Sequence, residues 1–180
     1  MKNNLFMRIL VFSIPVLLLI GLAIPPTWTS LTGEEIRLKT EPIDPTDLFR
    51  GSYVTLYYEI EQVTSEQLSD SVVKKIERKS EGDILPVFVQ LEKGSDDIYN
   101  VKKVTNKKPS SGIYLKGTLN IPYEMQVTPP ESFHIQYNLD NYYAPKKDAE
   151  EIEAVTSTKP ALAIVKVKNG RAILMDIIVP

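Results

Sequence analysis

From residue 9 to residue 33 the chain carries no charge, and its earlier part is apolar on every side, from Ile9-Leu10-Val11-Phe12 through Leu17-Leu18-Leu19-Ile20 to Ile24. Crossing about 30 Å of hydrocarbon takes roughly 20 residues at about 1.5 Å each, so this run is long enough for a transmembrane anchor, placed at residues 9–26. Pro15 would at most kink it. A cleaved signal peptide is the competing reading, but Pro25-Pro26 follows close behind Ala23, where a cleavage site would fall. Lys2 and Arg8 precede the span and acidic residues follow it, which puts residues 1–8 in the cytoplasm and the rest outside. Trp28 stands where an interfacial aromatic would. Residues 27–34 read as a spacer, and residues 35–180 as one extracytoplasmic domain.

Beyond the spacer the period changes to two. Glu35-Ile36-Arg37-Leu38-Lys39-Thr40 alternates as a first strand. A turn built on Asp44, Pro45 and Asp47 follows, since proline fixes φ and short acidic side chains close turns on nearby amides. Gly51 then lets a strand start directly after Arg50. Val54, Leu56, Tyr58 and Ile60 form its core face, and Tyr53, Thr55, Tyr57 and Glu59 its other face. Arg50, Tyr53 and Tyr57 are the candidate interface residues, with a second packed layer beneath a helix as the competing reading.

That helix is expected after Thr64 or Ser65, with Gln67 completing a capping box and Leu68, Val72 and Ile76 recurring every fourth residue. Glu66 and Asp70 lead while Lys74, Lys75, Arg78 and Lys79 trail, which suits the helix dipole on a solvated face. Leu85, Val87, Val89 and Leu91 return to period two, and Lys93-Gly94-Ser95-Asp96-Asp97 makes a hairpin loop into a strand at 98–104. After a polar loop at 106–112, Ile113, Leu115, Gly117 and Leu119 alternate with a wet face of Tyr114, Lys116 and Thr118. Phe133, Ile135, Tyr137 and Leu139 form one more apolar face, opposite His134. A short helix is expected at 146–155 behind Pro145. Asn169-Gly170, between strands at 161–168 and 171–179, selects a type I′ hairpin. In that register Lys168 faces Arg171 and Val165 faces Leu174. Apolar residues on both faces of this hairpin suggest an inner pair covered on two sides.

Composition narrows the chemistry. The chain has no cysteine, which excludes disulfides and thiolate sites. Its net charge of −2, with 21 basic and 23 acidic residues intermixed, gives no basic stripe for nucleic acid. The one histidine, His134, has no relay motif around it. Glu41, Asp44 and Asp47, like Asp96-Asp97, lack the spacing of a calcium loop, so turn formation accounts for them. No phosphate-cradling or dinucleotide glycine pattern occurs, and no cofactor is expected. Ser52 follows a glycine at a tight turn but lies in neither nucleophile context of the serine hydrolases.

Gly51-Ser52-Tyr53-Val54-Thr55-Leu56-Tyr57-Tyr58 resembles the signature of the GDYxxLxY proteins, and the preceding Asp44-Pro45-Thr46-Asp47-Leu48-Phe49-Arg50 run fits as well. An N-terminal membrane segment, Tyr142-Tyr143-Ala144-Pro145 and a terminal hairpin extend the resemblance loosely over most of the chain. Ser52 stands where the signature has aspartate, which favours a structural role for the motif residues Asp44, Pro45, Asp47, Arg50, Gly51, Ser52, Tyr53, Leu56 and Tyr58. The resemblance implies a small bacterial protein with a membrane anchor, associated with multi-pass membrane proteins, and no particular reaction.

The expectation is therefore an α+β chain: an N-terminal transmembrane helix, then a mainly antiparallel β-rich domain with one or two helices. Functionally it is a membrane-anchored extracytoplasmic binding or assembly module. Its partners are the bilayer, through residues 9–26, and a membrane-protein or envelope component. The alternative is an envelope hydrolase using Ser52 or a bound cation.

Overall fold

One helix, α1 (Lys2–Thr32), takes up the anchor segment at 9–26 and continues beyond it in the computed structural model, which describes residues 2–42, 53–80, 82–122, 131–139, 141–143, 156 and 159–179. Leu10, Phe12, Leu17, Leu18, Leu19, Leu22 and Ile24 are all exposed. Leu10–Thr32, 23 residues, is long and apolar enough to cross a membrane, its most apolar part reaching a mean hydropathy of 2.2. Helical structure persists where the sequence suggested a spacer, through Pro25 and Pro26 to Thr32. The prolines remove two amide donors, while nearby hydroxyls fold back on the helix. Thr27 donates to the Ala23 carbonyl at 2.8 Å and Thr29 to that of Pro25 at 2.9 Å, which gives carbonyls around the break a second donor.

Gly33 alone separates α1 from the first strand. Its amide closes the helix on the Thr29 carbonyl at 2.8 Å. A Cβ there would lie 2.5 Å from that oxygen and 3.1 Å from the Val167 amide nitrogen, so only glycine allows helix and sheet to approach this closely.

The strands are β1 (Glu34–Glu41), β2 (Tyr53–Thr55), β3 (Tyr57–Tyr58), β4 (Gln62–Thr64), β5 (Ile84–Lys93), β6 (Tyr99–Thr105), β7 (Tyr114–Asn120), β8 (Ser132–Gln136), β9 (Asn141–Tyr143), β10 (Leu162–Lys168) and β11 (Arg171–Ile178). They form a four-stranded sheet in the order β11-β10-β1-β3, a five-stranded sheet in the order β4-β8-β7-β5-β6, and a β2-β9 ribbon. Every ladder between these strands is antiparallel. With the apolar helix in front, the fold is α+β.

Both larger sheets feed one apolar cluster, Ile36, Leu38, Ala163 and Val165 from one and Val87, Val89, Leu119 and Ile135 from the other. Alternation on β1, β5, β8 and β10 thus marks the buried face correctly.

Three expectations change. The capping box of Thr64 and Gln67 forms, but it closes only a short 3-10 turn (Ser65–Gln67). Helix α2 (Asp70–Ile76) starts later, because Leu68 bridges Val104 and the Ser69 amide donates to the Val104 carbonyl at 3.0 Å. Leu68, Val72 and Ile76 are nevertheless all buried. The second change is in the terminal hairpin, whose turn is as expected: Asn169 and Gly170 have φ of 53° and 77°, and Lys168 faces Arg171. Yet β11 is an edge strand, and a bulge opposite Ile164 and Val165 leaves Met175 outside the ladder, so Met175 and Ile178 are exposed.

Thirdly, the face of β7 expected to be wet buries Tyr114, because the hairpin tip lands on it. The Lys116 amide donates to the Gly170 carbonyl at 2.8 Å. A Cβ on Gly170 would come within 2.5 Å of the Tyr114 ring. The helix expected at 146–155 lies outside the described residues.

Candidate functional site

The signature does not make one continuous strand. After Thr55 the chain breaks pairing at Leu56, resumes as β3, and enters a 3-10 turn at Glu59–Glu61. Each piece takes a different partner: β2 pairs with β9, β3 with β1, and β4, just beyond, with β8. Alternation is unaffected, because Leu56, Tyr58 and Ile60 still point into the core. The signature therefore stitches the sheets together rather than lying inside one of them.

The two stretches that carried the family resemblance meet in the ribbon. Tyr53 pairs with Tyr143, Val54 with Tyr142 and Thr55 with Asn141. A second link lies nearby. The Tyr58 hydroxyl, fully buried, donates to the Leu139 carbonyl at 3.0 Å, and the buried Tyr137 hydroxyl donates to the Ile60 carbonyl at 2.8 Å. Asn138, between the donor Tyr137 and the acceptor Leu139, turns the chain with a φ of 56°. The result is a reciprocal clamp between residues 58–60 and 137–139. Burial, with the Glu61 carboxylate as the lesser cause, pushes the Tyr137 hydroxyl well above the usual phenol range.

Tyr57 takes the opposite face. It is 45% exposed and paired with Glu41 at the end of β1. Lys39 and Glu59 form an exposed ion pair beside it at 3.0 Å. The adjoining Thr40 is buried and fixes this end of the sheet. Its amide and hydroxyl both donate to the Ala161 carbonyl, at 2.9 and 3.2 Å, and its hydroxyl oxygen accepts from the Ala161 amide at 2.8 Å. Seven residue steps at about 3.3 Å put this end of β1 roughly 23 Å from the end that joins α1.

Of the candidate residues, Leu56 and Tyr58 are core, Tyr57 is surface, and Tyr53 sits in β2. Asp44, Pro45, Asp47, Arg50, Gly51 and Ser52 lie outside the described residues. Residues 43–52 connect the far end of β1 to β2. The tyrosine clamp and buried Glu61 had no signal in the local pattern, since the clamped residues stand 77 and 81 positions apart.

Other candidates resolve as structure. His134 is half-buried on β8, opposite Gln62. Asp96 accepts from the Ile98 amide at 3.3 Å, and Asp97, with a φ of 65°, pairs with Lys93 at 2.6 Å. That ammonium holds the Asp97 carboxyl below its ordinary range, and Asp97 in turn raises Lys93. Among the described residues no group of three or more His, Asp or Glu could hold a metal ion. A polar cavity of about 350 Å³ is lined by Ser69, Ser71, Gln90, Lys103, Ser110 and Ser111, among others.

No curated protein and no solved structure matches the chain. The family model described as GDYXXLXY protein matches residues 15–177, so the chain belongs to that family.

Proposed function

From membership of the GDYXXLXY family, we propose that this chain is a membrane-anchored extracytoplasmic binding or assembly module that acts with a membrane-protein or envelope partner. The observation that carries the reading is the separation of its two ends. An apolar helix exposed on all sides enters at one end of β1, and Tyr57, the neighbour of the signature's Tyr58, is exposed at the other. An aromatic side chain held outward by a clamped, buried neighbour suits a contact surface. Arg50 and Tyr53 complete the set of interface candidates drawn from the sequence. Lys2 and Arg8 ahead of the span favour a cytoplasmic N-terminus and an extracytoplasmic domain.

Crosslinking and pull-down of the full-length protein from native membranes tests this. The comparison is wild type against a folded Arg50→Ala/Tyr53→Ala/Tyr57→Ala variant. A stoichiometric partner lost in the variant is the expected result; the same captured proteins from both would end the reading. The hydrolase alternative turns on Ser52, and labelling of the folded domain at that residue by a serine-reactive probe would revive it.

A further inference from the structure

The hairpin tip stands at the level of the one tryptophan, at the point where α1 enters the domain. The Lys168 ammonium lies 5.0 Å from the Trp28 ring centroid and donates to the Thr32 hydroxyl. Trp28 itself is 58% exposed. An indole at the end of a spanning helix marks headgroup depth, so whatever surrounds the tip lies at that depth too.

What surrounds it is basic. Arg171 pairs with Lys168 across the turn. Lys166 packs its Cβ against Gly33, Lys116 lies against Gly170, and Lys108 sits over the Tyr114 ring on which Gly170 rests, 5.9 Å from its centroid. Among the described residues none of these five cations forms a salt bridge, whereas Lys39, Lys79, Lys93 and Lys102 elsewhere on the domain each do. Among the described residues the nearby acids are Glu34 and Glu35, at the start of β1 beside Val167 and Lys166. Five cations against two acids is a local excess in a chain whose net charge is −2.

We propose that this ring of Lys108, Lys116, Lys166, Lys168 and Arg171 is a docking surface for anionic phospholipid headgroups, seating the domain on the bilayer its own helix crosses. The inference rests on the membrane-anchored reading and deepens it. Basic residues within a Debye length of an anionic leaflet are attracted to it. Here the connection through Gly33 holds them at that distance without a spacer to absorb.

The test uses full-length protein in vesicles of phosphatidylcholine alone or of phosphatidylcholine mixed with phosphatidylglycerol. Flotation reads the anchor and amide hydrogen exchange reads the surface. In the phosphatidylglycerol vesicles, exchange across residues 107–116 and 166–171 should slow severalfold. The slowing should vanish at about 1 M salt, where screening acts within about 3 Å, and in a Lys108→Ala/Lys116→Ala/Arg171→Ala variant that keeps the Trp28 contact. Flotation with equal exchange in both lipids would overturn the headgroup surface and leave the anchor standing. Failure to float would overturn both.

Discussion

Two hydroxyls, those of Tyr58 and Tyr137, fasten the signature to the segment after β8. Replacing either by phenylalanine leaves a buried carbonyl short of its donor. Tyr58→Phe and Tyr137→Phe should each cost about 1 kcal/mol or somewhat more in denaturant unfolding, while Tyr57→Phe, at the surface, should be neutral. Tyr137 also sets an alkaline limit. Its folded-state pKa lies above the unfolded value of about 10, so the folded chain holds the proton more tightly. That stability is complete below about pH 10 and is lost as the pH rises past it. The Tyr137→Phe chain should therefore lose stability less steeply than wild type above pH 10; equal slopes would refute the assignment. Gly170 answers two demands, a φ of 77° and the Tyr114 ring. Gly170→Ala should destabilise by more than about 1 kcal/mol, whereas Asn169→Gly at the neighbouring φ of 53° should be tolerated.

At the scale of elements, α2 offers an internal comparison. Ile76 is buried and Val73 is 37% exposed, so Ile76→Ala should cost about 2–5 kcal/mol and Val73→Ala no more than about 0.5 kcal/mol, read by thermal or denaturant melts. Elements defined by their own residues were legible in advance: β1, β5 and the hairpin at Asn169-Gly170 needed only period and turn chemistry. Those decided by distant residues were not. Alternation from Tyr53 to Ile60 is the same whether the stretch pairs with one neighbour or several, and only Asn141–Tyr143 and β1 divide it. The start of α2 is likewise set by Val104, which captures Leu68 and Ser69 before the helix can begin. Of the candidate site, the inward and outward directions at Leu56, Tyr57 and Tyr58 followed from alternation; the clamp that holds them depends on residues with no local mark.

For the molecule as a whole, an apolar helix and a sheet that carries the exposed Tyr57 at its far end follow one another with almost nothing between them. If α1 is retained as an anchor, protein from its native host should stay with membranes at full length after an alkaline wash; a soluble fragment beginning near Thr27 would refute it. Gly33 is the only residue between the helix and β1, and its contacts leave no slack. In an anchored chain the two elements would form a lever whose fulcrum is the bilayer surface. A lean of about 20°, ordinary for a spanning helix, would sweep the Tyr57 end of β1 sideways by about 8 Å over its roughly 23 Å length. Bilayer thickness, by setting that lean, would then steer where the far end can reach.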